Sequence, residues 1–325
     1  MRYFLGVDVG GTKTHALIAD EKGIALGFGL DGAGNWQSVG FDGLRKVVGA
    51  TIDQALSSAQ VPLDQISAAG FGIAGYDWPS QLAAHLEAVT SIGLNCPLEL
   101  TNDAIIGLLA GAAQGWGIVL VAGTGNNCRG RDRDHREARI TGEGIRFGEF
   151  GGASEMVMKA VQAVAYEWSR RGPKTCLSGM FIKLAGAKDL NDLVEGIDLE
   201  RYRPDPAWAP LVFEAASLGD PVARDVITWS ANELGESGCA VIRQLGIEGE
   251  EFEIVMAGSI FDGGELYIEP LRHTIQKLAP RAKLVRLEAP PVVGGVILAM
   301  QKAGLPTTSV HRALIESTRR FIRQA

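Results

Sequence analysis

The hydrophobic pattern of the first 116 residues predicts three strands followed by alternating helices and strands. Apolar runs at residues 3–7, 15–19 and 24–30 are short and close together, as in an antiparallel meander. Residues 41–59 carry apolar side chains at helical spacing. Strand, helix, strand and helix patterns then follow at residues 67–74, 79–92, 97–101 and 104–113. This order predicts one α/β unit.

The same plan starts again at residue 118. Residues 118–122 form an unbroken apolar run, which is typical of a buried strand. A hairpin pattern at residues 129–140 follows, and its five arginines alternate with acids, so we interpret it as a solvated ribbon without a function. The remaining patterns predict helices at 152–169, 207–218, 221–245, 264–278, 292–303 and 308–323, with a buried strand at 252–257.

A chain of 325 residues exceeds the usual size of a single core, so we predict two domains. Their predicted bounds are residues 1–116 and 117–325, and the last helix could pack back on the first domain. Each half opens on a buried strand that runs into a glycine–threonine turn, which is an internal repeat of plan and not of sequence. Two similar α/β lobes imply a cleft between them.

Composition narrows the class of partner and the compartment. The net charge of −7 argues against a nucleic-acid or anionic-membrane partner, because there is no basic field to attract phosphate backbones. The chain opens on a strand pattern without a signal peptide, and no apolar run approaches the ~20 residues of a spanning helix. The four cysteines are scattered and form no CxxC pair. We therefore expect a cytoplasmic protein with reduced thiols.

The first candidate for chemistry is the turn after the first strand. It holds the residues Asp8, Gly10, Gly11, Thr12, Lys13 and Thr14. Two glycines let bare N–H groups approach an anion, and the hydroxyl and ammonium groups add donors for phosphate oxygens. Asp8 at the strand end could hold a hydrated magnesium ion. The alternative is a tight hairpin turn with an exposed lysine, and this segment alone favours neither reading.

A second glycine–threonine turn and an aspartate between the two turns favour the functional reading. Gly123, Thr124, Gly125 and Asn126 follow the buried strand of the second half, at the register of the first turn. Asp103 follows a strand and precedes a helix. It could cap that helix, or it could act as a general base that accepts a proton from an attacking hydroxyl. We favour the base, because ligands bind at the carboxyl ends of strands in open α/β sheets.

Two common nucleotide-binding motifs do not account for the function of this chain. Residues 70–75 match GxGxxG, but these glycines lie within a predicted strand and no helix follows them directly. The sequence contains no GxxxxGK[ST], which argues against a Walker-type NTPase. The five histidines show no metal-ligand spacing.

Together these motifs resemble the acetate-kinase, sugar-kinase, heat-shock and actin superfamily. Within it the chain resembles the family that joins N-acetylglucosamine kinases with the BadF/BadG/BcrA/BcrD ATPases. Residues 6–14 and 123–126 resemble the two phosphate motifs of this family. Residues 256–261 resemble its adenosine motif, in which Gly258 and Ser259 would lie against the nucleoside. Residues 291–296 resemble the small-residue helix start that closes its second lobe. The resemblance implies an α/β fold of two ribonuclease-H-like (actin-like ATPase) lobes with an interlobe cleft.

The resemblance also implies roles for particular residues. Asp103 would be the catalytic base, and Asp8 would hold Mg²⁺ through water. The implied sugar-binding residues are Asn35, Gly75, Asn102, Asp103, Asn127 and Glu149. In the second sugar-contacting loop the chain departs from the family, because Glu143 replaces a tryptophan and Glu149-Phe150 replaces an Asp-Glu pair.

The implied function is ATP- and Mg²⁺-dependent phosphorylation of an amino-sugar hydroxyl, with N-acetylglucosamine as the expected acceptor. Because the sugar loop departs from the family, glucosamine, N-acetylmuramic acid or another hexose stays open as the substrate. A nucleotide- or sugar-binding sensor of the same fold is the alternative from another class. We expect a homodimer whose partner is a small-molecule sugar.

Overall fold

The structure is a computed structural model, and it describes residues 1–322, so the predicted end of the last helix at residue 323 lies outside the described residues. Its first sheet has five strands. In chain order they are β1 (Tyr3–Val9), β2 (Thr14–Asp20), β3 (Ala25–Asp31), β4 (Ile66–Ile73) and β5 (Leu98–Thr101). They lie in the order β3-β2-β1-β4-β5, with β1 to β3 antiparallel and β4 and β5 parallel to β1.

The second sheet repeats this topology. Its strands are β6 (Gly117–Ala122), β7 (Asn126–Arg131), β8 (Glu137–Arg139), β9 (Glu253–Ala257) and β10 (Lys283–Arg286). They lie in the order β10-β9-β6-β7-β8, again with an antiparallel meander of the first three strands and two parallel strands beyond it. The predicted repeat of plan is therefore confirmed. Strand β10 was not predicted from its four residues.

Eleven helices accompany the sheets within residues 1–322. They are α1 (Trp36–Ala59), α2 (Leu82–Thr90), α3 (Asp103–Gly111), α4 (Ala153–Trp168), α5 (Cys176–Ala185), α6 (Leu190–Asp198), α7 (Ala209–Ser217), α8 (Pro221–Leu245), α9 (Glu265–Gln276), α10 (Val292–Lys302) and α11 (His311–Ile322). Sequence reasoning missed α5 and α6, which are short. It also began α1 five residues late, because Gly40 is non-helical and interrupts the pattern while Asn35 caps the first turn.

In the part of the chain that the structure describes, no helix is long and apolar enough to cross a bilayer.

Helix α10 lies on the first sheet, not the second, so its predicted place was wrong. It packs on β1 and β4 and against α3. Glycines on both sides allow this contact: a Cβ on Gly6 would lie 2.3 Å from Val296 N, and one on Gly294 would lie 1.8 Å from Ile106 O. The helical pattern of residues 292–302 shows an apolar segment but does not say which sheet it covers.

The base of the β7–β8 hairpin is buried, which corrects the expectation of a solvated ribbon. Arg129 and Arg131 are only 4% and 2% exposed, while Arg133 and Arg136 near the tip are exposed. The two buried arginines form ion pairs with Asp77 and with Glu99 of the first lobe. A charge pattern alone cannot distinguish a solvated ribbon from one whose charges are paired across an interface.

One hydrophobic cluster joins the two lobes. It contains apolar side chains of α3 and α10, of β1 and β2 in the first sheet, and Val119 and Val255 in the second. Helix α3 therefore lies between the lobes, and its first residue, Asp103, lies at the carboxyl end of β5. This placement directs the start of α3 into the space between the two sheets.

Candidate active site in the interlobe cleft

The two glycine–threonine turns and the start of α3 line one cavity of about 460 Å³. Of the residues predicted for the site, the lining contains Asp8, Gly10, Thr12, Lys13, Asp103, Gly123, Thr124, Gly125, Asn126 and Asn127. Ala257, at the end of β9 and just before Gly258 and Ser259, lies in the same lining. The carboxyl ends of β1, β6 and β9 thus meet at one cavity, as expected for strands of open α/β sheets.

Other residues predicted for phosphate or nucleoside contact lie next to the cavity. Thr14 is buried, and its hydroxyl donates to Gly32 O at 3.0 Å, so it stabilises the turn. Gly11 is exposed at the tip of the turn. Gly258 has a φ of 108°, and a Cβ there would lie 2.2 Å from Ala122 O. Ser259 begins a short 3₁₀ helix, Ser259–Gly263.

The first turn is closed by its own backbone. Gly10 N–H donates to Lys13 O at 3.0 Å, and Gly34 N–H donates to Gly10 O at 3.0 Å. A Cβ on Gly10 would lie 2.7 Å from Lys13 O, so the turn requires glycine there. Thr12 and Lys13 are exposed and lie in the cavity lining. This turn therefore offers a hydroxyl and a cation on side chains.

The second turn is supported by the start of α4. Ala153 N–H donates to Gly123 O at 2.8 Å, and Ser154 N–H donates to Thr124 O at 2.9 Å. A Cβ on Gly152 would lie 2.5 Å from the carbonyl carbon of Gly125, so only glycine allows this approach. The positive end of the α4 dipole lies directly behind the turn, where it favours an anion in the cavity.

Asp103 lies between the turns with a carboxyl group that titrates near neutrality. Burial raises its pKa to about 7, with a further increase from the neighbouring Asp8, while Arg129 opposes the rise. The N-cap of α3 is Asn102, whose Oδ1 accepts from Ala104 N–H at 3.0 Å. Helix capping therefore does not require Asp103, which was the alternative explanation for this residue.

Asp8 faces the same cavity from the end of β1. Its side chain is 15% exposed, and its Oδ2 lies 3.6 Å from Nδ1 of His15, the residue opposite it on β2. Two carboxylates that face one cavity repel each other, and a divalent cation relieves that repulsion. The residues present thus fit a hydrated magnesium ion.

Asn35, Gly75 and Asn102 are brought together beside Asp103. A Cβ on Gly75 would lie 2.6 Å from Asn35 Oδ1, and the indole N–H of Trp36 donates to Gly75 O at 2.8 Å. Asn102 Nδ2 donates to Tyr76 O at 3.2 Å. The neighbouring residues line a second cavity of about 320 Å³: Tyr76, Asp77, Trp78, Pro79, Asn102, Arg129, Glu137, Ala138, Arg139 and Gln244.

Glu149 stabilises a loop and does not lie in the lining of either cavity. Its carboxylate accepts hydrogen bonds from the N–H groups of Thr141, Gly142 and Glu143, at 2.7, 2.8 and 3.1 Å, and from the Thr141 hydroxyl at 2.9 Å. The loop that it holds brings Gly142 within contact of Asn127, since a Cβ on Gly142 would lie 3.3 Å from Asn127 Oδ1. Glu149 thus positions this loop next to Asn127.

Asp77 and Arg129 also line the second cavity, and sequence reasoning did not identify them. Arg129 and Asn127 lie two residues apart on β7, so their side chains leave the same face of the strand. Asn127 was identified, and strand alternation from it could have identified Arg129. Asp77 carried no comparable signal, because its partners are far away in the sequence.

Comparisons with known proteins agree with this architecture. The BadF/BadG/BcrA/BcrD ATPase family matches residues 5–299. The N-acetylmuramic acid/N-acetylglucosamine kinase of Clostridium acetobutylicum is 27% identical over 305 residues, covering 92% of this chain and 98% of that protein. The N-acetyl-D-glucosamine kinase of Dictyostelium discoideum is 26% identical over 311 residues, covering 91% of this chain and 97% of that protein.

A solved structure confirms the fold class. The provisionally assigned N-acetylglucosamine kinase of Chromobacterium violaceum superposes with a TM-score of 0.62 at 23% identity, covering 92% of this chain and 99% of that one. The two five-stranded sheets are thus the lobes of an actin-like ATPase fold, as the sequence resemblance implied. Since the family matches most of the chain, this protein belongs to the BadF/BadG/BcrA/BcrD ATPase family.

Proposed function

We propose that this protein transfers a phosphoryl group from ATP to a hydroxyl of an amino sugar. The observation that carries the proposal is the single cavity lined by both glycine–threonine turns and by Asp103. Phosphoryl transfer needs donors around the phosphates and a base at the acceptor hydroxyl, and little else from the protein. Membership of an ATPase family supports ATP as the phosphoryl donor.

The two turns would bind the phosphates from opposite lobes. Thr12 and Lys13 would donate from the first turn, and the backbone amides of Thr124 and Gly125, with the α4 dipole behind them, from the second. Donors fixed in place before the reaction stabilise charge on the transferred group without reorganising. Gly258 and Ser259 would lie against the nucleoside, beyond Ala257.

Asp8 would hold Mg²⁺, with water between them, since magnesium usually keeps several waters and takes one or two carboxylates. When bound, the ion would neutralise phosphate charge. Asp103 would accept the proton of the sugar hydroxyl. A pKa of about 7 suits this role, because a general base is most effective when its pKa lies near the working pH.

We infer that the acceptor is N-acetylglucosamine, bound beside Asn35, Gly75, Asn102 and Asn127. The names of the Clostridium and Dictyostelium relatives support this substrate class. Glucosamine, N-acetylmuramic acid and other hexoses are alternative acceptors, because Glu143 and Glu149 replace the residues typical of the sugar loop. We further expect a homodimer that acts in the cytoplasm, where ATP is made.

The test is ADP release from the full chain with ATP and Mg²⁺ across a panel of N-acetylglucosamine, glucosamine, N-acetylmuramic acid and glucose. We expect turnover that depends on one of the amino sugars and is lost in Asp103→Asn. Turnover with glucose alone would contradict the amino-sugar assignment. Nucleotide binding without sugar-dependent release from any acceptor would favour the sensor.

A further inference from the structure

The second lobe contributes a buried arginine to the acceptor side of the site. Arg129 Nη2 lies 2.8 Å from Oδ1 of Asp77, which belongs to the segment after β4 in the first lobe. The guanidinium is almost fully shielded from water. Separating such a pair leaves a desolvated charge uncompensated, so the pair keeps the two lobes in register at this point.

The same carboxylate oxygen connects to the start of α3. Asp77 Oδ1 also accepts from Asn102 Nδ2 at 3.2 Å, and the Asn102 side chain is buried. Asn102 Oδ1 in turn accepts from Ala104 N–H at 3.0 Å, and that N–H is shared with Asp103 Oδ1 at 3.0 Å. A continuous set of hydrogen bonds therefore runs from Arg129 to the carboxyl group of the candidate base.

Strand β8 fixes the same segment from a second direction. The Arg139 guanidinium donates to Asp77 O and lies over the Trp78 ring, 4.1 Å from its centroid. Asp77 is thus held through both its side chain and its backbone by neighbouring residues of the β7–β8 hairpin. The hairpin contacts the first lobe where Asn102 and Asp103 enter the cleft.

We propose that Arg129 and Asp77 are positioning residues for Asp103, through which the second lobe aligns the base of the first. The proposal rests on the proposed function, because it takes Asp103 as the general base. Neither Arg129 nor Asp77 needs to touch the substrate. They act by holding Asn102, whose amide group sets the first turn of α3.

Arg131 provides a matched control on the same strand. It is 2% exposed, it leaves the same face of β7, and its Nη2 pairs across the lobes with Glu99 at 3.2 Å. Its other partner is Gln301 of α10, at 3.1 Å. Arg131→Met therefore removes a buried cross-lobe ion pair that does not connect to Asn102, whereas Arg129→Met removes one that does.

The experiment compares Arg129→Met, Arg131→Met and wild type in the full chain. For Arg129→Met we expect kcat to fall about tenfold to a hundredfold, since small misplacements of reacting groups have effects of that order. Its KM for ATP should stay within about twofold of wild type, because the phosphate turns are untouched. Amide exchange at residues 103–106 should be faster. Arg131→Met should lower thermal stability but change neither kcat nor exchange at α3.

Equal losses of kcat in the two variants, or unchanged exchange at the start of α3 in Arg129→Met, would overturn the proposal. If Arg129→Met does not fold, Arg129→Lys keeps the charge without the planar fork and should show a smaller kcat loss with the same change in exchange. If wild type phosphorylates no amino sugar, the proposed function fails, and the exchange contrast between the arginine variants still tests the positioning.

Discussion

The two glycine–threonine turns occupy equivalent places in two lobes of the same topology, yet they present different chemistry. The first turn, between β1 and β2, is a closed hairpin that offers the side chains of Thr12 and Lys13. The second, between β6 and β7, is closed by a hydrogen bond from Gly123 N–H to Gly125 O, is backed by the start of α4, and offers the backbone amides of Thr124 and Gly125. The repeated topology therefore determines where the two turns lie, and the local sequence determines which hydrogen-bond donors each turn presents.

The largest expected effect on kcat is that of a substitution at Asp103, which lies between the two turns. Asp103→Asn leaves both turns intact and removes the proposed base, so kcat should fall by about 10²- to 10⁴-fold. ATP affinity, measured by calorimetry, should stay nearly unchanged. A variant that keeps most of its kcat would show that Asp103 is not the base and would leave the two turns as a binding site only.

Gly152→Ala should disrupt the second turn more than Gly11→Ala disrupts the first. A Cβ at Gly152 would lie 2.5 Å from the Gly125 carbonyl carbon, whereas a Cβ at Gly11 meets no atom within 4 Å. Overpacking of this kind costs about 1–3 kcal/mol, so the KM for ATP should rise and the thermal midpoint should fall. Steady-state kinetics and calorimetry check both. Similar values for the two variants would contradict the role of α4 behind the turn.

Lys13→Met should weaken ATP binding through the first turn alone. A hydrogen bond to a charged group contributes about 1.5–3 kcal/mol, so the KM for ATP should rise about tenfold or more. Thr124→Val, in the second turn, should have a smaller effect because the backbone donors remain. The comparison is made by titrating ATP at fixed sugar. A larger effect of Thr124→Val would reverse the assignment of side-chain and backbone donors to the two turns.

The smallest expected effect is a pH-dependent change in thermal stability, which depends on Asp103 and not on either turn. Its pKa is raised from 3.8 to about 7 in the folded protein, so folding favours the protonated form. That stabilisation is complete below 3.8 and is lost as the pH rises through about 7. Asparagine mimics the protonated form, so Asp103→Asn should raise the thermal midpoint by at least about 2 °C near pH ~8. The gain should disappear near pH ~4.

The raised pKa of Asp103 also predicts the direction in which activity changes with pH. A base works only when it is deprotonated, so kcat/KM of the wild type, which reports ionisations of the free enzyme, should rise with pH through about 7. A kcat/KM that falls over this range would show that another ionisable group controls the reaction.

Much of the fold could be predicted because its signals are local. The apolar runs that became β1 and β6 end in glycine turns, and that repeated combination revealed two lobes. The gathering of Asp8, Asp103 and the two turns also followed, since strand ends in such sheets meet at one edge.

What could not be predicted depends on contacts between distant segments. The close contact of α10 with the first sheet depends on Gly6 and Gly70 of the sheet and Gly295 of the helix, and no local pattern in the sequence connects these three positions. The burial of Arg129 depends on Asp77, 52 residues away, whose carboxylate removes the cost of hiding a guanidinium. Helical and strand periods describe one segment at a time, so they predict faces but not partners.

The position of α10 has a consequence for how the chain folds as it is synthesised. The segment 292–302 covers β1 and β4, whose last residues, Val9 and Ile73, precede Val292 by 283 and 219 residues. The first sheet therefore lacks this helix, and has only α3 on that face, until the second lobe has emerged from the ribosome. We expect nascent chains that stop before residue 292 to be cleaved by protease within the first lobe, and longer chains to resist. The first lobe to be translated would then be the last to be completed.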